Sequence, residues 1–120
     1  MKKGNRVSTR EASAIQEYRV AKKLGGKLSS NSGGGRFEKG DIKIPESSLN
    51  IECKTCMSPK KSFSIKKEWI EKNKEEAFRS RLYNQVLSFN FDFEDEHDYY
   101  VIDDKLMKFL VEKLREDLAE

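Results

Sequence analysis

The stretch from Gly40 to Lys54 constrains this chain most. Gly40-Asp41-Ile42-Lys43-Ile44 and Ile51-Glu52-Cys53-Lys54 each alternate apolar and charged residues, and Pro45-Glu46-Ser47-Ser48 between them has the composition of a turn. A period of two predicts two short β-strands joined as a hairpin. Ile42, Ile44, Ile51 and Cys53 form its buried face; Asp41, Lys43, Glu52 and Lys54 form the other. With a four-residue turn, Ile44 pairs with Leu49, and Asp41 falls directly across from Glu52. Two carboxylates opposed in this way repel and weaken the hairpin unless a cation sits between them. A hard divalent cation that takes oxygen ligands, Mg²⁺ above all, suits the place.

The 120 residues suffice for a single domain with one core, preceded by a basic, flexible tail over residues 1–7. No apolar run approaches a membrane span, and Met1-Lys2-Lys3-Gly4-Asn5-Arg6 is followed by no apolar segment of the kind a signal peptide has, so the expectation is a cytoplasmic protein. The net charge of +3 hides an asymmetry: residues 1–81 carry 20 Lys/Arg against 10 Asp/Glu, and residues 82–120 carry 4 against 11. A basic two thirds that contains the carboxylate hairpin points to a polyanionic partner, nucleic acid first; a solvated charged surface is the plainer alternative.

The two cysteines form one C-x-x-C, Cys53-Lys54-Thr55-Cys56. A zinc site needs a second ligand pair, and the one histidine, His97, lies far along the chain. A redox motif of this spacing opens a helix, whereas this one lies on a strand. Buried, reduced thiols are the expectation.

Ser8-Thr9-Arg10-Glu11 has the spacing of a capping box and predicts a helix over Thr9–Leu24, closed by Gly25-Gly26. At about 100° per residue, Ala14, Tyr18, Ala21 and Leu24 share an apolar face, and Glu17 falls within the same arc. A carboxylate there is either an edge residue that reaches outward or a functional group turned towards the hairpin. Residues 29–40 hold three consecutive glycines with Arg36 and Lys39. They predict a positively charged loop able to approach DNA closely, or a plain linker, without the residue order of a P-loop.

Beyond the hairpin, the basic turn with Lys60 and Lys61 leads to a second helix, about Ile65–Arg79. Its polar side carries Lys67, Lys72 and Lys74, and its core side Ile65, Trp69, Ile70 and Ala77, with Trp69 as a core anchor; Lys66 and Asn73 fall towards that side, within reach of the site. Leu82–Phe91 and Asp98–Ile102 alternate as strands. The acidic stretch from Asp92 to Asp98 lacks the ligand spacing of a Ca²⁺ loop and predicts a solvated connection. A last helix, Asp104–Leu118, has Leu106, Leu110, Leu114 and Leu118 at i+4 steps beside Met107 and Val111, a core stripe or in part a dimer face. The order α-β-β-α-β-β-α predicts an α/β domain with a central mixed β-sheet flanked by helices.

Glu17, Asp41, Glu52 and Lys54 each have a task in hydrolysing a phosphodiester. Asp41 and Glu52 would hold a metal that polarises the phosphoryl oxygen and lowers the pKa of a bound water, and Glu17 would complete the shell or bind a second ion. Lys54 would orient that water and stabilise the charged phosphorane; as a base it needs a pKa lowered from about 10.4.

Asp41 followed by Glu52-Cys53-Lys54, with the helical Glu17 upstream, resembles the PD-(D/E)xK nuclease superfamily, and within it the small archaeal-type and phage Holliday junction resolvases. The resemblance runs from about Ser8 to Trp69. It implies a restriction-endonuclease-like fold and a Mg²⁺-dependent endonuclease, with Mn²⁺ able to substitute, acting on DNA in a bacterial, archaeal or phage-infected cell. It places the family's helical glutamate at Glu17, its metal aspartate at Asp41, and its E-x-K at Glu52 and Lys54, and has Cys53 offer its backbone carbonyl to the metal. Ser32-Gly33 resembles the family's loop serine element, with Ser29 or Ser30 as alternatives. Gly40 stands where a proline often precedes the aspartate, and Ser30-Asn31 where the serine loop often has a proline. Arg36, Lys39, Lys60, Lys61 and Lys67 are the expected DNA contacts, four-way junctions the expected substrate, and a homodimer the expected assembly. A nuclease of duplex, nicked or single-stranded DNA and a non-catalytic nucleic-acid-binding protein of the same fold are the rival readings.

Overall fold

The structure, a computed structural model, describes residues 7–28 and 41–119. Helix α1 spans Thr9–Leu24. The Ser8 hydroxyl accepts from the Glu11 amide at 3.0 Å, and the Glu11 carboxylate accepts from the Ser8 amide at 3.0 Å, so the capping box forms as the spacing predicts. Gly25 ends the helix with φ 74°, a left-handed conformation that favours glycine. Gly26 then passes so close to the sheet that a Cβ on it would meet Ile42 Cγ2 at 2.5 Å.

That close passage delivers the chain into β1, Lys27–Leu28, which pairs antiparallel with β2, Asp41–Ile44, Leu28 opposite Ile42. Two residues are too short to show a period, so β1 is absent from the sequence expectation. A 3-10 turn over Pro45–Ser47 and a left-handed Ser48, φ 55°, lead to β3, Leu49–Lys54. Helix α2, Lys67–Arg79, carries the chain over to β4, Asn84–Phe89, which runs parallel to β3; β5, Tyr99–Val101, returns antiparallel, and α3 covers Asp104–Leu118. The result is an α/β domain whose mixed sheet has the order β1-β2-β3-β4-β5. Helix α2 starts two residues later than expected, because Lys66 is extended (φ −92°, ψ 135°) and serves as the N-cap.

The two faces of the sheet differ in chemistry. On one, Ile42, Ile44, Ile51 and Val86 pack against Val20 and Ala21 of α1, with Leu49, Cys53, Ile102 and Leu106 around them. On the other, Asn50 of β3 donates to Asn73 of α2 at 2.6 Å, and Asn73 donates to the Val86 carbonyl at 2.9 Å and to Gln85 at 3.4 Å. Alternation along β3 therefore assigns Ile51 and Cys53 to the α1 side, and Asn50, Glu52 and Lys54 to the α2 side.

Three expectations change. The buried side of α1 is Ala12, Gln16, Val20 and Ala21, while Tyr18 and Leu24 are exposed and Ala14 faces water. The helix is turned because Gln16 can be buried: its amide donates to the Ser88 carbonyl and hydroxyl at 3.3 and 3.4 Å. Asp98, at the end of the acidic stretch, is not solvated; its carboxylate takes two 2.7 Å hydrogen bonds from Arg19 and its side chain is 1% exposed. Finally, no residue of α3 is fully buried. Leu106 packs against the core, but Met107, Leu110, Leu114 and Leu118 are exposed, so the leucine stripe is not a core stripe within the described residues.

Candidate active site

The hairpin register is the one the alternation and turn length predict: Ile44 pairs with Leu49, and Asp41 with Glu52. Directly opposed residues of an antiparallel pair lie about 4.5–5.5 Å apart at Cβ, so the backbone brings two acidic positions together. Glu52 is only 9% exposed. Burying a carboxylate needs a partner, and Lys54, two residues on along the same face, places Nζ 3.2 Å from Glu52 Oε2.

Helix α2 roofs this pair. Trp69, expected as a core anchor, is half-buried, and the Lys54 ammonium lies 4.4 Å from the centroid of its ring, within cation–π range. Lys66 approaches the same ring at 5.7 Å, and Phe63 packs beside it with centroids 6.1 Å apart. Phe63 in turn stacks on Phe89 at 4.8 Å, which meets Phe91 and Tyr99. Lys54 is thus held between a carboxylate and an indole, on a rigid aromatic wall.

One step along the strand, a buried polar relay braces the hairpin. Lys43 Nζ donates to Asn50 Oδ1 at 3.0 Å, and Asn50 passes the connection to Asn73 and β4. Each hydrogen bond contributes about 1 kcal/mol net, and stranding a buried member costs about 1–3 kcal/mol, so β2, β3, α2 and β4 are locked in one register around Glu52. Sequence reasoning missed Asn50. Its signal was available, since it shares strand parity with Glu52 and Lys54. Asn73 is buried in this relay rather than reaching Glu52. Asn90 is a second missed residue, fully buried, its carbonyl oxygen accepting from the Cys56 amide and the Thr55 hydroxyl at 3.1 Å each.

Glu17 is half-buried on α1, next to Gln16 and therefore level with the β4 end that holds Ser88, the partner of Cys53. Helix α1 covers the Ile51–Cys53 side, so Glu17 starts from the opposite face of the sheet to Glu52 and Lys54. No disulfide joins Cys53 and Cys56; Cys53 packs against the core, and burial pushes the Cys56 thiol up from its usual value.

Lys60 lines a cavity of about 500 Å³ with Thr55, Ser58, Ser62, Phe63 and Ser64, immediately after Lys54 in the chain. Lys61 is exposed beside it, and Lys67 opens α2, paired with Glu71 at 3.8 Å. Ser32 and its alternatives Ser29 and Ser30, with Gly33, Arg36 and Lys39, lie outside the described residues, as does the Asp41 side chain. Among the described residues, no three His, Cys, Asp or Glu side chains converge as a metal site; the two acidic positions that the hairpin pairs are Glu52 and residue 41. Comparison with protein-family models, with curated proteins and with solved structures gives no match.

Proposed function

We propose that the chain is a Mg²⁺-dependent DNA endonuclease of the PD-(D/E)xK type, with Mn²⁺ able to substitute, that cuts branched DNA such as a four-way junction as a homodimer. The observation that carries this reading is Glu52: an acid 9% exposed, in register with Asp41 and 3.2 Å from Lys54. A surface salt bridge explains neither the burial nor the second acid opposite. A restriction-endonuclease-like arrangement agrees with the order of elements, with β1 added at the edge.

In this reading Asp41, Glu52 and the Cys53 carbonyl would hold Mg²⁺; Glu17, on the α1 side of the sheet, would join them only by reaching round the strand ends. Bound there, the ion polarises the phosphoryl oxygen and makes a water more acidic. Water adds at phosphorus, one P–O bond to the sugar breaks, and the products are a hydroxyl end and a phosphate end. Lys54, fixed by Glu52 and Trp69, orients the water and neutralises charge on the phosphorane. Lys60, Lys61 and Lys67 meet flanking phosphates, Arg36 and Lys39 are assigned as further phosphate contacts, and Ser32 is assigned to the reaction site.

Incubation of the protein with a four-way junction and a matched linear duplex, each with Mg²⁺ or Mn²⁺, tests this. The junction is cut in preference, and Asp41→Asn and Lys54→Ala lose cleavage while keeping DNA binding. Equal cutting of both substrates removes the branched-DNA assignment. A wild type that binds DNA but cuts nothing with either ion is a binding protein instead.

A further inference from the structure

The far end of α2 carries two aromatic side chains that stand in water. Phe78 is 82% exposed and Tyr83 is 83% exposed, and two arginines lie between them in Phe78-Arg79-Ser80-Arg81-Leu82-Tyr83. The backbone beneath is firmly held. The Leu82 amide donates to the Ala77 carbonyl at 2.8 Å and the Arg81 amide to the Phe78 carbonyl at 3.0 Å, the pair of bonds that closes a helix on a left-handed residue. The Tyr83 amide donates to the Ser48 hydroxyl at 2.7 Å and the Asn84 amide to the Ser48 carbonyl at 2.9 Å, so this knuckle is tied to the hairpin turn.

Arg81 occupies the left-handed position, φ 61°, where glycine is the usual residue. Ser48, the other non-glycine residue with positive φ in the described chain, has a local reason for its conformation, since its hydroxyl accepts from the Tyr83 amide. Arg81 has no such reason. Its side chain is exposed and, among the described residues, no carboxylate pairs with it, whereas Arg79 meets Glu76 at 3.8 Å. A strained backbone that presents an exposed cation between two exposed rings points to a ligand for all three.

We propose that this knuckle binds an unpaired stretch of a nucleic-acid strand, with bases stacked on Phe78 and Tyr83 and phosphates met by Arg81 and Arg79. Every base has a face that stacks on an aromatic ring, and arginine matches phosphate with a planar fork. A duplex keeps its base faces covered, so the knuckle selects unpaired bases. Glu75 on α2 and Glu46 in the adjoining turn are exposed acids, so stacking supplies more of the binding than charge does. That balance disfavours an acidic protein, which would lean on charge. Parallel pairing sets Leu49 against Asn84, and Glu52 lies three residues further along β3, about 10 Å at the rise of a strand. The choice of nucleic acid as the occupant rests on the proposed function, and it adds that the strand held near Glu52 is locally unpaired.

Fluorescence anisotropy of a labelled thymidine oligonucleotide and of a matched duplex, each with the full chain and without metal, tests this. Wild type is expected to bind the single strand. Phe78→Ala/Tyr83→Ala is expected to weaken that binding about tenfold or more while leaving duplex affinity and the urea midpoint unchanged, because both rings are exposed. Arg81→Gly is expected to raise the thermal midpoint by relieving the left-handed arginine and yet to weaken single-strand binding, a loss that unfolding cannot explain. Single-strand binding unchanged in either variant overturns the proposal, as does equal weakening of single strand and duplex by the double variant. Self-association of wild type that Phe78→Ala/Tyr83→Ala abolishes also overturns it, by making the knuckle a protein contact. Knuckle-dependent binding of the single strand by a chain that cuts no DNA with Mg²⁺ or Mn²⁺ leaves the proposal standing and removes the nuclease reading; junction cutting and single-strand binding that both variants leave intact do the reverse.

Discussion

Arg19 and Asp98 join α1 to the entry of β5, while Lys54 and Glu52 join neighbouring positions of β3 under α2. Both pairs hold a charge that water scarcely reaches, and in both the loss of one partner strands the other. For Arg19→Ala, the stranded group is a carboxylate 1% exposed. A loss of about 3–5 kcal/mol of stability is expected, read as a lower urea midpoint with an unchanged slope. Such pairs divide what a sequence shows from what it hides. Asp41 and Glu52 could be set opposite each other from alternation and turn length, because both signals are local. Asp98 could not be distinguished from its acidic neighbours, since its partner is 79 residues away; nor could Gln16, buried by a hydrogen bond to Ser88, 72 residues away.

The ends of α1 are the clearest case of an element specified locally: Ser8 and Glu11 start it, and Gly25 stops it. Its orientation is another matter. The small side chains of Ala12, Ser13 and Ala14 supply little hydrophobic contrast, so the periodicity had no strong face to report, and the sheet chose the side with Gln16. Gly26 is where that choice is enforced. In Gly26→Ala the new Cβ falls 2.5 Å from Ile42 Cγ2 and 3.0 Å from Ile44 Cγ1. The Ile42 side chain or the Gly26 backbone must shift, and overpacking of this kind costs about 1–3 kcal/mol. Thermal unfolding followed by circular dichroism measures it. Strand β1, which Gly26 leads into, is the element the sequence could not reveal, for two residues have no period.

At the scale of the molecule, the sheet separates two kinds of work. Its α1 side holds the aliphatic core; its α2 side carries the asparagine relay and the buried acid and lysine, and borders the cavity that Lys60 lines. Of the lysines in the basic residues 1–81, Lys54, Lys60 and Lys66 lie on this second side. The amphipathicity of α3 was legible from its leucines, but periodicity reports that a face is apolar and not what meets it. Among the described residues nothing covers Met107, Leu110, Leu114 and Leu118, which only the architecture shows.

Trp69 is the one tryptophan in the chain, and the Lys54 ammonium sits 4.4 Å from its ring. Indole emission responds to a nearby charge, so the protein carries its own optical reporter at the acidic pair. If an ion draws Glu52 away from Lys54, the ammonium moves relative to the ring. Titration of wild type with Mg²⁺ is therefore expected to shift the emission maximum to a plateau, and Glu52→Gln to abolish the shift. The measurement needs neither DNA nor turnover, so occupancy of the site can be read apart from cleavage.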